Sequence, residues 1–169
     1  MGAEKYPIPQ AFLNAFPDGI GSPVHSELTG ILDQVKLLPS GEKPKPYERI
    51  WSAKIPVGSA NILVGFLDQN VDGILQDFGT HGIEIDSERL SLVRDNLHVF
   101  TDRCSNLSSG SLRTSLSDLR VLREVRRHLP HIGATEEAQK EYEENYRKVI
   151  NPFGKVVKKA RKSSNPKRQ

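Results

Sequence analysis

Residues 87–130 read SERLSLVRDN LHVFTDRCSN LSSGSLRTSL SDLRVLREVR RHLP, and the period of their apolar residues decides the class of fold. Leu90, Val93, Leu97, Phe100, Cys104 and Leu107 follow one another at steps of three and four, which sets them on one stripe of a helix as a heptad seam. Asp86 or Ser87 caps its start. Ser108-Ser109-Gly110-Ser111 interrupts, and Leu112, Leu116, Leu119, Leu122, Val125 and Leu129 then form a second stripe that Pro130 ends. Two helices of similar length joined by so short a polar link predict an antiparallel helical hairpin.

Beyond the hairpin, Thr135 caps a last helix with Ala138, Tyr142, Tyr146, Val149 and Ile150 inward. Its glutamates crowd the first half and Arg147 and Lys148 lie near its end, the order a helix dipole favours. Asn151-Pro152 is expected to terminate it. Before the hairpin, Ser22 and Pro23 open a helix with Val24, Leu28, Ile31, Leu32, Val35 and Leu38 on one face, stopped by Pro39. A proline-rich connector follows. From Tyr47 to Ile55 the residues alternate with a period of two, as in a strand. Asn61 to Leu67 reads as a second, more buried strand, and Ile83-Glu84-Ile85 as a third short one.

The expected fold is α+β, mainly α. It is a helical bundle of four main helices, including the antiparallel hairpin, with a small β-hairpin or sheet inserted at about 47–85 and a disordered basic C-terminal tail. Residues 1–21 form an extended arm, 22–152 a single globular domain and 153–169 a flexible tail. A chain of 169 residues is long enough to bury one core without staples. The single cysteine, Cys104, excludes an internal disulfide and suits a reducing compartment. There is neither a signal-like apolar start nor a run of about 18 apolar residues that would span a bilayer, so an intracellular protein of cytoplasm or nucleus is expected.

Charge is distributed unevenly. The chain has 24 Lys and Arg against 21 Asp and Glu. Seven of the basic residues, Lys155, Lys158, Lys159, Arg161, Lys162, Lys167 and Arg168, lie in the last fifteen positions, which hold no acid. An acidic body therefore carries a strongly cationic end, which attracts polyanions over about 8 Å at physiological salt. Each phosphate it neutralises releases counterions and makes binding salt-sensitive. Lys158-Lys159-Ala160-Arg161 also resembles a nuclear-import signal, and the plain alternative is a solvated terminus. In the second hairpin helix Arg113, Arg120 and Arg127 recur every seven residues, with Arg123 between them. A guanidinium row of that kind can follow a phosphate backbone; pairing with the glutamates of the last helix competes with that role.

Other motifs are weaker. Asp68, Asn70 and Asp72 match the first half of a calcium loop, with glycine at position 73, but Gly79 stands where the bidentate glutamate is required. An Asx-rich turn explains the same residues. His128 and His131, with His25, His81, His98 and Cys104 elsewhere, would make a zinc site only by converging, for which their spacing gives no reason. No cofactor, resident metal or catalytic residue is assigned. The expected function is non-enzymatic: electrostatic binding of RNA or DNA by a self-associating structural or accessory protein, of a plan used by viruses among others. The alternatives are a peripheral, matrix-like adaptor on acidic membranes and a calcium-dependent interaction module.

Overall fold

The computed structural model describes residues 28, 30–33, 35 and 49–163. The elements are β1 (Ile50–Pro56), α1 (Val57–Gln69), α2 (Val71–Thr80), α3 (Ser87–Arg103), β2 (Ser109–Ser115), α4 (Leu116–Arg127), a 3-10 turn (Leu129–His131) and α5 (Glu136–Ser163). The chain is mainly helical with one small antiparallel sheet, as expected. Residues 28 and 30–33 are helical, and Leu28, Ile31, Leu32 and Val35 of the predicted first stripe are buried. The N-terminal arm and the proline-rich connector lie outside the described residues.

β1 forms where the two-residue rhythm places it. Trp51, Ala53 and Ile55 point inward, and Ile50, Ser52 and Lys54 point outward. Its partner is not the run after Pro56, however, but β2, in the register Ala53↔Leu112 and Trp51↔Thr114. The predicted strand at Asn61–Leu67 is helical, within α1, and Ile83-Glu84-Ile85 belongs to no strand. The reason is visible when the period is read from Val57: Val57, Ala60, Leu63, Val64 and Leu67 are buried at helical spacing. The β insertion at about 47–85 therefore reduces to β1 alone.

The link in the predicted hairpin is likewise more than a loop. Its serines and Gly110 become β2, and the amide of Val57 donates to the Ser108 carbonyl at 3.0 Å, just beyond the ladder. A side chain at Gly110 would put its Cβ 2.6 Å from Cys104 Sγ, so glycine lets the strand run directly over the end of α3. The seam on α3 buries Leu90, Val93, Leu97, Phe100 and Cys104, but Leu107 lies past the helix and is 58% exposed. The caps at Asp86 and Thr135 fall where expected, and Ser115 caps a helix that starts four residues later than the stripe from Leu112 suggests. Asp86 accepts from the Arg89 amide at 2.8 Å, Ser115 from Asp118 at 3.1 Å and Thr135 from Ala138 at 3.1 Å. Each satisfies an amide that a helix start leaves open.

A two-stranded sheet is marginal by itself, and here α5 and α1 pack on β1. The buried apolar side chains form one continuous cluster. α5 supplies Tyr142, Tyr146, Val149, Ile150, Phe153 and Val157, all at most 1% exposed. Pro152 does not end it; the helix passes through to Ser163. A proline inside a helix costs about 3 kcal/mol. Burial of Phe153 and Val157 beyond it, at about 1.5–3 kcal/mol for each large apolar side chain, offsets that cost. The first part of the predicted flexible tail, 153–163, is thus helical, with Phe153 and Val157 seated in the core, and 164–169 lie outside the described residues.

The two buried tyrosines set a pH limit. Tyr142 donates to the Leu122 carbonyl at 2.7 Å, and burial pushes both phenols up, Tyr142 well above its usual range. A folded pKa above the unfolded value of about 10 means the stabilisation is complete below pH 10 and is lost as pH rises beyond it. In an alkaline absorbance titration Tyr142 and Tyr146 should ionise only in step with the loss of helical circular dichroism. A smaller ionisation amplitude in Tyr142→Phe or Tyr146→Phe than in the parent, with the protein still folded near pH 10, would contradict this.

Candidate functional site

The arginine row is taken apart by the fold. Arg113 lies on β2, exposed, so it shares no helix face with Arg120 and Arg127. Arg120 reaches the N-terminal helical segment: its Nη1 donates to the carbonyls of Leu32 at 2.8 Å and Val35 at 2.6 Å, and its Nε to Glu124 Oε2 at 3.2 Å. It closes carbonyls at the end of that segment, as basic side chains do at helix C-termini. Arg123 is buried, with Nη1 3.1 Å from Glu124 Oε2 and Nη2 against Asp33. Desolvation lowers its pKa, and the charges of Asp33 and Glu124 work in the opposite direction. Arg127, 52% exposed, lies 3.6 Å from Glu124 Oε1. Two members of the row, Arg120 and Arg123, are thereby committed to holding α4 against the N-terminal segment.

A different set of cations is gathered instead. Between the C-terminal end of α4 and the first half of α5 runs an open groove of about 840 Å³. Arg126, Arg127, Lys140, Arg147 and Lys148 line it against only Glu143 and Glu144. Arg126 Nε donates to Glu143 at 2.6 Å, and that hydrogen bond raises its pKa. Arg147 and Lys148 stand 3.8 Å from Glu143 and Glu144, exposed to solvent where such pairs contribute at most about 1 kcal/mol. Farther along α5, Lys155 lies seven residues after Lys148, so both occupy one helix face. Lys155 and Lys159 are exposed, Lys158 is half-buried, and Arg161 and Lys162 fall in the last turn. Lys167 and Arg168 are outside the described residues. From the sequence Arg147 and Lys148 read as dipole partners and as the upstream half of a two-part nuclear-import signal; their meeting with Arg126 required the α4–α5 packing.

The half calcium motif is not assembled as a loop. Asp68 closes α1 and bonds Arg94 at 2.9 Å and His98 at 2.8 Å, the Asn70 amide donates to Phe66, and Asp72 opens α2. Cys104 packs in the core against β2, as its place on the seam suggests.

The convergence that spacing did not announce occurs at the far end of α2. Asp77 lies in the last turn of α2, His81 caps it, and His128 caps α4. One donor atom from each lies within 4.8 Å of the others. His81 Nδ1 is 3.1 Å from Asp77 Oδ1, and His128 Nδ1 is 2.7 Å from Asp77 Oδ2. His131 completes a ring cluster, with its centroid 5.4 Å from that of His81. Gly73 permits this approach, because a Cβ there would stand 2.5 Å from the Ile132 carbonyl oxygen. The signal in the sequence was a pair of pairs, Asp77/His81 four apart and His128/His131 three apart, each on one side of a helical turn. No protein-family model, curated protein or solved structure matches the chain.

Proposed function

We propose that the chain binds the phosphate backbone of RNA or DNA electrostatically, without a catalytic step, as a self-associating structural or accessory protein of cytoplasm or nucleus. The observation that carries this reading is the continuity of cationic surface. The α4–α5 groove holds five basic side chains against two acidic ones, and the same helix extends past Pro152 with Lys155, Lys158 and Lys159 at helical spacing. Phosphates neutralised by a fixed array release counterions without first ordering a loose segment. Among the described residues no Phe, Tyr or Trp is exposed, which favours contact with the backbone over stacked bases. For self-association, Leu92 and Val99 stand exposed seven residues apart on α3, an apolar line suited to a second copy.

The test is fluorescence anisotropy with single-stranded RNA and duplex DNA across a salt series, comparing the parent with Lys140→Ala/Lys148→Ala/Lys155→Ala. All three side chains are exposed, so stability should change little. The slope of log affinity against log salt should flatten by about 2 to 3, near 0.7–0.9 for each lost phosphate contact. An unchanged slope rejects the groove and helix as the contact. Binding to acidic vesicles with none to nucleic acid rejects the polymer in favour of a membrane surface.

A further inference from the structure

We propose that Asp77, His81 and His128 form a binding site for a divalent transition-metal ion of the zinc type, stapling the end of α2 to the end of α4. The first ground is a buried carboxylate with an imidazole against each oxygen and no hydrogen bond to Oδ2. Asp77 is 6% exposed, and its Oδ2 and His128 Nδ1 are both buried. They approach to 2.7 Å, yet neither makes a hydrogen bond. Buried polar atoms are nearly always satisfied. A protonated His128 would make this contact an ion pair, whereas a neutral one leaves two lone-pair atoms facing each other, the arrangement of ligands around a common cation.

The second ground is the field at the site. Asp77 lies at the carbonyl end of α2, which has no basic residue in its last turn, and His128 caps the carbonyl end of α4, whose last turn holds Arg126 and Arg127. Both helix termini carry partial negative charge. A carboxylate there adds to that charge, and a cation between the ends relieves it. Asp68 provides the contrast. That carboxylate is half-exposed and already neutralised by Arg94 at 2.9 Å, so it has no comparable need.

Ligand chemistry selects the ion. Two imidazole nitrogens and one carboxylate oxygen suit zinc and its neighbours, whereas calcium and magnesium take oxygen ligands throughout. Zinc bonds of about 2.0–2.1 Å in a tetrahedron place ligand atoms roughly 3.3 Å apart. Against that spacing the 2.7 Å pair must open by about 0.6 Å and the 3.1 Å pair by about 0.2 Å, while the widest separation, within 4.8 Å, must close by up to about 1.5 Å. Phe78 meets the His128 ring edge-on at 5.8 Å, helping to hold its orientation. The fourth position falls to water, with the His131 ring alongside.

Untagged full-length protein, stripped with chelator, is titrated with cobalt(II) and then zinc. One equivalent of cobalt should develop the visible absorption of tetrahedral coordination, and zinc should displace it. His81→Gln, at a half-exposed position that tolerates substitution, should weaken binding at least about tenfold. Asp77→Asn should do the same, and His98→Gln should leave it unchanged. Zinc at a hundredfold excess over Kd should raise the melting temperature by about 5–10 °C. The proposal is overturned if no such band or thermal shift develops. It is equally overturned if the band survives both His81→Gln and Asp77→Asn or is lost with His98→Gln.

Discussion

Glu124→Ala should unfold more of this protein's stability than any other single charge removal, by about 3–5 kcal/mol, the scale for leaving a buried ion without its partner. Glu124 is 3% exposed and stands at the junction of three guanidinium groups. Arg120 and Arg123 approach its Oε2 at 3.2 and 3.1 Å, and Arg127 its Oε1 at 3.6 Å. Alanine would leave Arg123, itself 5% exposed, with only Asp33 as a counter-charge. Arg120 would also lose the carboxylate that aims it at the Leu32 and Val35 carbonyls. Arg123→Met should cost less, because it removes the buried charge itself and leaves Glu124 with two cations. Urea unfolding monitored by circular dichroism measures both. A loss below about 1 kcal/mol for Glu124→Ala would show that this cluster behaves as an exposed one.

That network explains why the arginine row was misread from the sequence. A repeat of seven places residues on one helix face only if the helix contains all of them, and α4 begins at Leu116, after Arg113. What removes Arg113 from the helix is β1, which draws Ser109–Ser115 into a ladder. Serine and glycine carry little strand propensity, and only Leu112 and Thr114 show the inward alternation. β2 is therefore made by a partner more than fifty positions away in the chain, a contact no local window contains. Asn61–Leu67 failed for the opposite reason: a short apolar run fits either period, and the deciding residues, Val57 and Ala60, lie before it.

What was legible shared one property, a period sustained over several turns. The α3 seam, the α4 stripe, the inward face of β1 and the buried part of the first helix each had it. The histidine cluster did not. Its halves are separated by all of α3, β2 and α4 and meet where Gly73 admits the chain at Ile132. The groove cations are an intermediate case: Arg126 and Arg147 were visible as charges, but their common surface depends on how α4 lies along α5.

Phe153→Ala should separate the two ways in which the basic end can meet a phosphate backbone. Phe153 is fully buried just after Pro152, so truncating it should cost about 3–5 kcal/mol of stability. The loss should concentrate beyond Pro152, where the helix already lacks one hydrogen bond and Val157 is the next buried large side chain. Hydrogen exchange should show residues 153–163 losing protection before Tyr142 and Tyr146 do. Net charge is untouched, so a terminus acting as a loose cationic arm would bind RNA with the parent's affinity and salt slope. An array held in register by α5 must instead be ordered on binding once its seat is gone, at about 1–2 kcal/mol per residue fixed. Measured at a temperature where the core remains folded, affinity should then fall by about tenfold or more. Equal affinity at equal salt would assign binding to charge alone and leave the continuation of α5 through Pro152 without a role in it.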